Sequence, residues 1–362
     1  MTQGNGLCYT LLDEREVGSV SKAMRKRVFG AVFFFAVLGL TFWYVFRDEN
    51  LTKVAGYLKD ADIRYVIPAV GAVIAFILGE SVVICYLLRR LGTKTKFSHC
   101  CLFSFVGFFY SAITPSASGG QPMQVLYMRR DGVPGAVSTV VLAIVTITYK
   151  LVLVVVGLAV MLLRPGTVMA SLDGVEALVY LGLGLNVVFI AVLLTAVFHP
   201  KVIQATLHGA FKLLHKIRPF RQPEQVMARV QNSLDQYHDT AAFFRQEPKI
   251  IANVFLITLV QRFCLFSVVW FTYLAFGLSG QSAVTMILLH AMISVAVDML
   301  PLPGGMGISE TLFLAIFESI FGPELVLPGM IVCRGISYYT QLLISGIMTG
   351  AAQFVFRQKK GK

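Results

Sequence analysis

Residues 115–124 read PSASGGQPMQ, and residues 300–310 read LPLPGGMGISE. In both stretches a proline precedes two adjacent glycines: Pro115 leads Gly119-Gly120, and Pro301 leads Gly304-Gly305. Each interrupts an apolar run. The run before the first break, 97–113, is 17 residues long, short of the roughly 20 that a membrane-crossing helix needs. A short segment, 123–128, follows the break and leads to Arg129-Arg130-Asp131-Gly132. The second break separates 283–300 from 308–321. Such broken apolar pieces read as re-entrant hairpins, each entering and leaving on one side of a bilayer.

The surrounding chain fits a membrane. Of its 362 residues, 56% are hydrophobic and 14% charged, with a mean hydropathy of +0.74. Soluble domains carry about 25% charged residues, so a soluble, disordered, fibrous or disulfide-stapled class is excluded. Full-length apolar runs occur at 28–46, 65–88, 133–163, 176–198, 250–276 and 325–356. The first follows Arg25-Lys26-Arg27 and lacks the short core and small-residue cleavage site of a signal peptide, so an uncleaved span is expected. Between 47 and 64, Leu51, Val54, Ala55 and Leu58 suggest a short interfacial helix. The long polar stretch 199–249 keeps Val226, Val230, Leu234, Tyr237, Ala241 and Phe244 at helical spacing, which predicts an amphipathic helix lying on the membrane surface. The expected fold is an all-α polytopic membrane protein of six full spans plus two oppositely oriented re-entrant hairpins.

The basic residues orient it. With both termini cytoplasmic in the plasma membrane, 23 of the 31 Lys and Arg fall inside, five outside and three within spans, as the positive-inside rule requires. The net charge of +12 is thereby assigned to orientation and to anionic headgroups at the cytoplasmic face, not to nucleic acid. The organisation is a cytoplasmic segment 1–27, a membrane domain 28–356 and a basic tail 357–362. The six cysteines show no CxxC spacing and read as small buried hydrophobes. The six histidines are scattered, and only His208 and His215 share a helical face. No metal site and no cofactor are expected; a monomer and a homo-oligomer are both compatible with the sequence.

The two halves repeat. A span (65–88 or 250–276), a broken segment and a long span (133–163 or 325–356) recur in the same order, with repeats at about 65–163 and 250–356. In this topology the hairpins open to opposite sides, the pattern of an inverted repeat whose broken elements meet near the bilayer midplane. Lys150 lies 30 residues beyond Gly120, and Arg334 lies 29 beyond Gly305. Glu80 and Arg262 occupy the spans before the breaks, while Asp298 and Glu310 flank the second one. Charges at this depth cost roughly 2.5–3.5 kcal/mol each. They serve either as buried ion pairs joining the halves or as the lining of a polar cavity for an anionic substrate. The breaks favour the cavity, because freed backbone groups are tolerated at membrane depth where they are buried in protein or face water. Candidate substrate-binding residues are Ser116, Ser118, Gly119, Gly120, Gln121, Lys150, Arg262, Pro303, Gly304, Gly305, Gly307 and Arg334; Glu80, Asp298 and Glu310 are candidates for charge coupling. Half-helices beginning at Gly120 and Gly307 would present positive dipole ends to a phosphate. Asn186 and Thr146 read as interhelical hydrogen bonders.

The paired motifs also resemble the lysylphosphatidylglycerol synthase transmembrane (flippase-like) family over residues 28–356. In its fused members this region translocates an aminoacylated phospholipid, and a soluble domain makes that lipid from aminoacyl-tRNA. The resemblance implies roles for the Gly-Gly hairpins, for Glu310 and for the cation after each hairpin. Lys150 stands where many relatives have Arg, leaving a point charge in place of a planar fork. Six residues follow Phe356, so the soluble synthase domain is expected to be missing. The expected function is translocation of a phospholipid, such as lysylphosphatidylglycerol, or of a lipid-linked glycan between leaflets. The alternatives are a phosphatidylglycerol lysyltransferase-type enzyme of lipid modification and cationic-peptide resistance, or a membrane scaffold subunit.

Overall fold

The computed structural model describes residues 59, 61–114, 117–198, 223–300, 302, 305 and 307–356. The expected span 28–46, segment 1–27, most of the stretch 47–64, tail 357–362, and candidates Ser116, Pro303 and Gly304 lie outside the described residues. All regular structure that is described is helical.

Helix α1 spans Ile63–Arg90. The Asp62 carboxylate accepts the Arg64 N–H at 2.9 Å at its start, and Arg89 and Arg90 complement the dipole at its end. The first broken segment follows as α2 (Phe97–Ala112) and α3 (Gly120–Arg130). At about 1.5 Å per residue neither arm matches a ~30 Å hydrocarbon core. The arms pack on each other, and His99 Nδ1 meets Asp131 Oδ1 at 2.8 Å where the segment begins and ends. Next come α4 (Gly135–Leu163), a short α5 (Gly166–Ser171) that no periodicity foretold, and α6 (Glu176–Phe198).

Helix α7 (Pro223–Gln246) is the amphipathic element expected within 199–249. On its described stripe Leu234, Ala241 and Phe244 are buried, the helix packs on α4 and α6, and the Tyr237 hydroxyl donates to Ala196 O at 3.3 Å. Helices α8 (Pro248–Phe266) and α9 (Val268–Ala275) form one long rod that bends at Ser267, whose hydroxyl donates to Cys264 O at 2.7 Å. The second broken segment comprises α10 (Ala283–Val297) and α11 (Ile308–Phe321). The chain closes with α12 (Val326–Arg334), a π-helical turn at Gly335–Thr340 and α13 (Gln341–Val355). Among the described residues, four helical segments are long and apolar enough to cross a membrane: α1, α4, α6 and the α8–α9 rod.

Packing of the broken segments is reciprocal. Arm α2 of the first packs along α13, the closing helix of the second half. Arm α10 of the second packs along α4, the closing helix of the first half. Between α2 and α13 the approach is close: a Cβ at Gly346 would lie 3.2 Å from the Phe109 ring. The Tyr338 hydroxyl of the π turn donates to Ala112 O, the last residue of α2, at 3.0 Å. Phe356 is buried at the other end of this interface, stacked 5.4 Å from Phe103 and edge-on to His99 at 5.1 Å.

The apolar core comes in two main parts, one toward each end of the long helices. On α1, residues 69–77 belong to one part and 83–88 to the other. On α4 the parts are 152–160 and 140–147. The second part takes Ile250 and Val254 of α8, and Phe266 belongs to the first. Between them each helix carries polar residues among apolar ones: Glu80 and Ser81 on α1, Thr148 and Lys150 on α4, Thr258, Gln261 and Arg262 on α8. A polar layer therefore crosses the bundle at mid-depth, where apolar residues would suit lipid surroundings best.

Candidate functional site

The polar layer meets both breaks. Lys150, near the middle of α4, is 6% exposed. Its ammonium bonds the carboxylate of Asp298, the residue capping the C-terminus of α10. The Met299 sulfur lies 2.9 Å from Nζ, and the Tyr149 and Phe189 rings each lie 5.2 Å away. The first half's cation thus reaches across to the second half's break. Carboxylate and aromatic faces offset the loss of hydration that a buried ammonium suffers.

Arg334 behaves differently. Its Nε donates to Glu310 Oε1 at 2.7 Å, within its own half. The other oxygen of Glu310 accepts the Gly307 N–H at 2.7 Å and the Ser309 hydroxyl at 2.9 Å. Gly307 caps α11 at φ +86° and Gly305 precedes it at φ +67°, a left-handed backbone that favours glycine. The positive end of α11 therefore faces the protein's own anion, the Glu310 carboxylate at its third position. The Arg334 guanidinium lies 5.0 Å from the Tyr338 ring.

The first break is built from smaller groups. Helix α3 starts at Gly120, as the glycine pair suggests. The Thr114 hydroxyl accepts the Gly119 N–H at 2.9 Å and donates to Tyr110 O at 2.6 Å. Gly120 lies so close to α2 that a Cβ would fall 2.7 Å from Gly107 O. Ala117 holds φ +52°, a conformation costly for a residue with a Cβ. Ser118 and Gln121 are exposed, and the Gln121 amide bonds the Thr146 hydroxyl of α4. Thr146 and Asn186 both make interhelical bonds, Asn186 Nδ2 donating to Val295 O at 3.5 Å.

Glu80 and Arg262 face the same layer from α1 and α8. The Gln124 amide of α3 donates to Glu80 Oε1 at 2.7 Å. The side chain of Gln124 fills the notch left by Gly107, where a Cβ would collide with it. Arg262 lies over two rings, with its guanidinium carbon 3.5 Å from the centroid of Tyr149 and 4.9 Å from that of Phe76. Its Nε is buried and has no hydrogen-bond partner among the described residues.

The structure therefore gathers Lys150 with Asp298, Arg334 with Glu310 and Gly307, and Glu80 with Gln124, while Arg262 stands on Tyr149. Ser118 and Gln121 stay at the rim. Four contributors escaped the charge-and-break reading: Gln124, Phe76, Tyr149 and Tyr338. Gln124 closes the first motif, and Tyr149 adjoins Lys150, so adjacency was the available signal for both. Phe76 and Tyr338 carried none. No group of three or more His, Cys, Asp and Glu suited to a metal occurs among the described residues.

An all-helical membrane protein with two broken helical segments and buried ion pairs at the second break is the class that fold and site define. The chain matches the family model for the lysylphosphatidylglycerol synthase TM region over residues 28–345, and it belongs to that family. A search of curated proteins gives no match. Family membership connects this membrane protein with lipid modification or translocation.

Proposed function

We propose that the protein is a lipid translocator of the plasma membrane that moves a phospholipid, aminoacylated lipids such as lysylphosphatidylglycerol included, or a lipid-linked glycan between leaflets. The observation that carries this reading is the polar layer between two apolar cores, fed by both breaks. A structural membrane protein gains little from charges at that depth, which cost energy to insert and hold. A headgroup crossing the bilayer needs such a layer. In this reading α2–α3 and α10–α11 are re-entrant hairpins opening to opposite sides, and 28–46 together with the closing run 325–356 brings the four long spans to six, with both termini cytoplasmic. Reciprocal packing supports it: each hairpin leans on the other half's closing helix, so motion in one half is felt by the other.

The headgroup passes Ser116, Ser118, Gly119, Gly120 and Gln121 on one side and Pro303, Gly304, Gly305 and Gly307 on the other. Lys150, Arg262 and Arg334 attract its phosphate; Glu80, Asp298 and Glu310 balance the charge and receive an amine. Basic residues of the cytoplasmic segments hold anionic headgroups at that face. Proteoliposomes carrying a fluorescent phospholipid, quenched from outside, test the proposal. The parent protein is expected to expose the inner-leaflet label faster than protein-free liposomes, with Lys150→Ala and Arg334→Ala slower. Equal rates with and without protein, across phospholipids and lipid-linked sugars, would refute it.

A further inference from the structure

Of the three mid-depth cations, two are neutralised at contact distance: Lys150 by Asp298 and Arg334 by Glu310. Arg262 makes no ion pair among the described residues. Its guanidinium rests on Tyr149 and Phe76, which fixes its plane and leaves its edge, the part that donates hydrogen bonds, without an acceptor. The Nε is buried and unpartnered. A buried charged donor without an acceptor costs more than an ordinary unsatisfied group, so this arrangement is expensive unless something else completes it.

A second donor shares the same face. Thr258 lies four residues before Arg262 on α8, one helical turn away. Its hydroxyl is buried and also unpartnered, although a helical threonine ordinarily back-bonds the carbonyl a turn earlier, as Thr146, Thr148 and Thr272 do here. Two orphan donors stacked on one face, one of them cationic with a planar fork, match a tetrahedral oxyanion. Lys150, whose ammonium lies 5.2 Å from the same Tyr149 ring, adds positive potential. Glu80 opposes it from α1, although the Gln124 amide already occupies one of its oxygens.

Resting on the translocator reading and sharpening it, we infer that Arg262, with Thr258, is the phosphate-binding point of the polar layer, whereas the Lys150–Asp298 and Arg334–Glu310 pairs hold the two sides of the second break in position. The ligand is a lipid phosphodiester: a guanidinium edge and a hydroxyl suit its two free oxygens, and the aromatic wall suits the glycerol carbons beside it. The site differs from the helix N-termini that the glycine motifs advertise, one of which is already filled by Glu310.

Purified full-length protein in phosphate-free neutral detergent provides the test. Short-chain phosphatidylglycerol, diacylglycerol of the same chain length and glycerol phosphate are titrated in parallel, and ligand-dependent thermal stabilisation is read. Phosphatidylglycerol is expected to stabilise the parent, and the other two not. Arg262→Gln should weaken that binding about tenfold or more, the effect of losing a charge-assisted hydrogen bond, while the ligand-free melting temperature stays level or rises because an orphan charge has gone. Arg262→Lys keeps the charge without the fork and should also bind more weakly, which carries the test if the glutamine variant does not fold. Glu80→Gln should bind more tightly. Unchanged phosphatidylglycerol affinity in both Arg262 variants would overturn the inference, as would a ligand-free Arg262→Gln protein that melts lower yet binds normally. Equal stabilisation by glycerol phosphate would also overturn it by assigning the site to a soluble phosphate. A parent that translocates lipid in liposomes while Arg262→Gln does so equally well refutes this site alone; a parent that neither binds nor moves any phospholipid or lipid-linked sugar refutes the translocator reading beneath it.

Discussion

Replacing Lys150 by Met leaves the Asp298 carboxylate without its ammonium. The side chains of this pair are 7% and 14% exposed, so little water can take over the lost interaction. Breaking a buried pair by removing one partner costs about 3–5 kcal/mol. Asp298→Asn is expected to fall in the same range, because the ammonium keeps only a thioether and two ring faces. The double variant removes both charges together and is therefore expected to lie at least about 2 kcal/mol above the less stable single variant, since an apolar or neutral replacement of a whole buried pair is often nearly neutral. Equilibrium unfolding in mixed micelles, with sodium dodecyl sulfate as denaturant, measures all four corners of the cycle. Additive losses, with the double variant as unstable as the two single losses together, would refute the premise that Lys150 and Asp298 act as one unit joining the first closing helix to the second break.

Two further substitutions probe the packing around the breaks. Tyr338→Phe removes the hydroxyl that bonds Ala112 O across the halves and should cost about 1 kcal/mol in the same unfolding assay; a Tyr338→Phe protein as stable as the parent would remove this contact from the list of those joining the halves. Ala117→Gly should stabilise by roughly 0.5–1 kcal/mol, because glycine accepts φ +52° without strain and the relief exceeds its entropic cost; a loss of stability would mean that the strain is absent in solution.

Much of the fold was legible because lipid surroundings demand long apolar runs and because proline and glycine break helices. The breaks after Ala112 and Val297 fall one and three residues before the sequence estimates, and α6 has the expected bounds. The π turn at 335–340 was not legible, because one extra residue in a turn leaves no mark on composition. The packing partners of α7 were not legible for a related reason. An amphipathic stripe has the same spacing whether it meets lipid or protein.

The charged set itself was legible, because Asp, Glu, Lys and Arg are conspicuous among apolar residues. Its pairing was not. Lys150 and Asp298 are 148 residues apart in sequence, and nothing local states that Lys150 crosses to the other half while Arg334 remains at home. Glu310 was the exception. It sits three residues after the capping glycine, the spacing at which a carboxylate returns to the backbone of a helix start.

The π turn has a consequence for how the halves differ as mechanical parts. Helix α4 is one unbroken rod of 29 residues with its cation near the centre. The matching rod of the second half carries its cation, Arg334, immediately before a widened turn in which the Thr340 hydroxyl reaches back to Gly335 O at 2.9 Å. A widened turn can tighten or migrate along a helix by exchanging carbonyl partners, without melting the turns on either side. The second rod thus has a joint where the first has none. Bending of the bundle is therefore expected to concentrate at the joint of the second rod, while α4 moves as one piece.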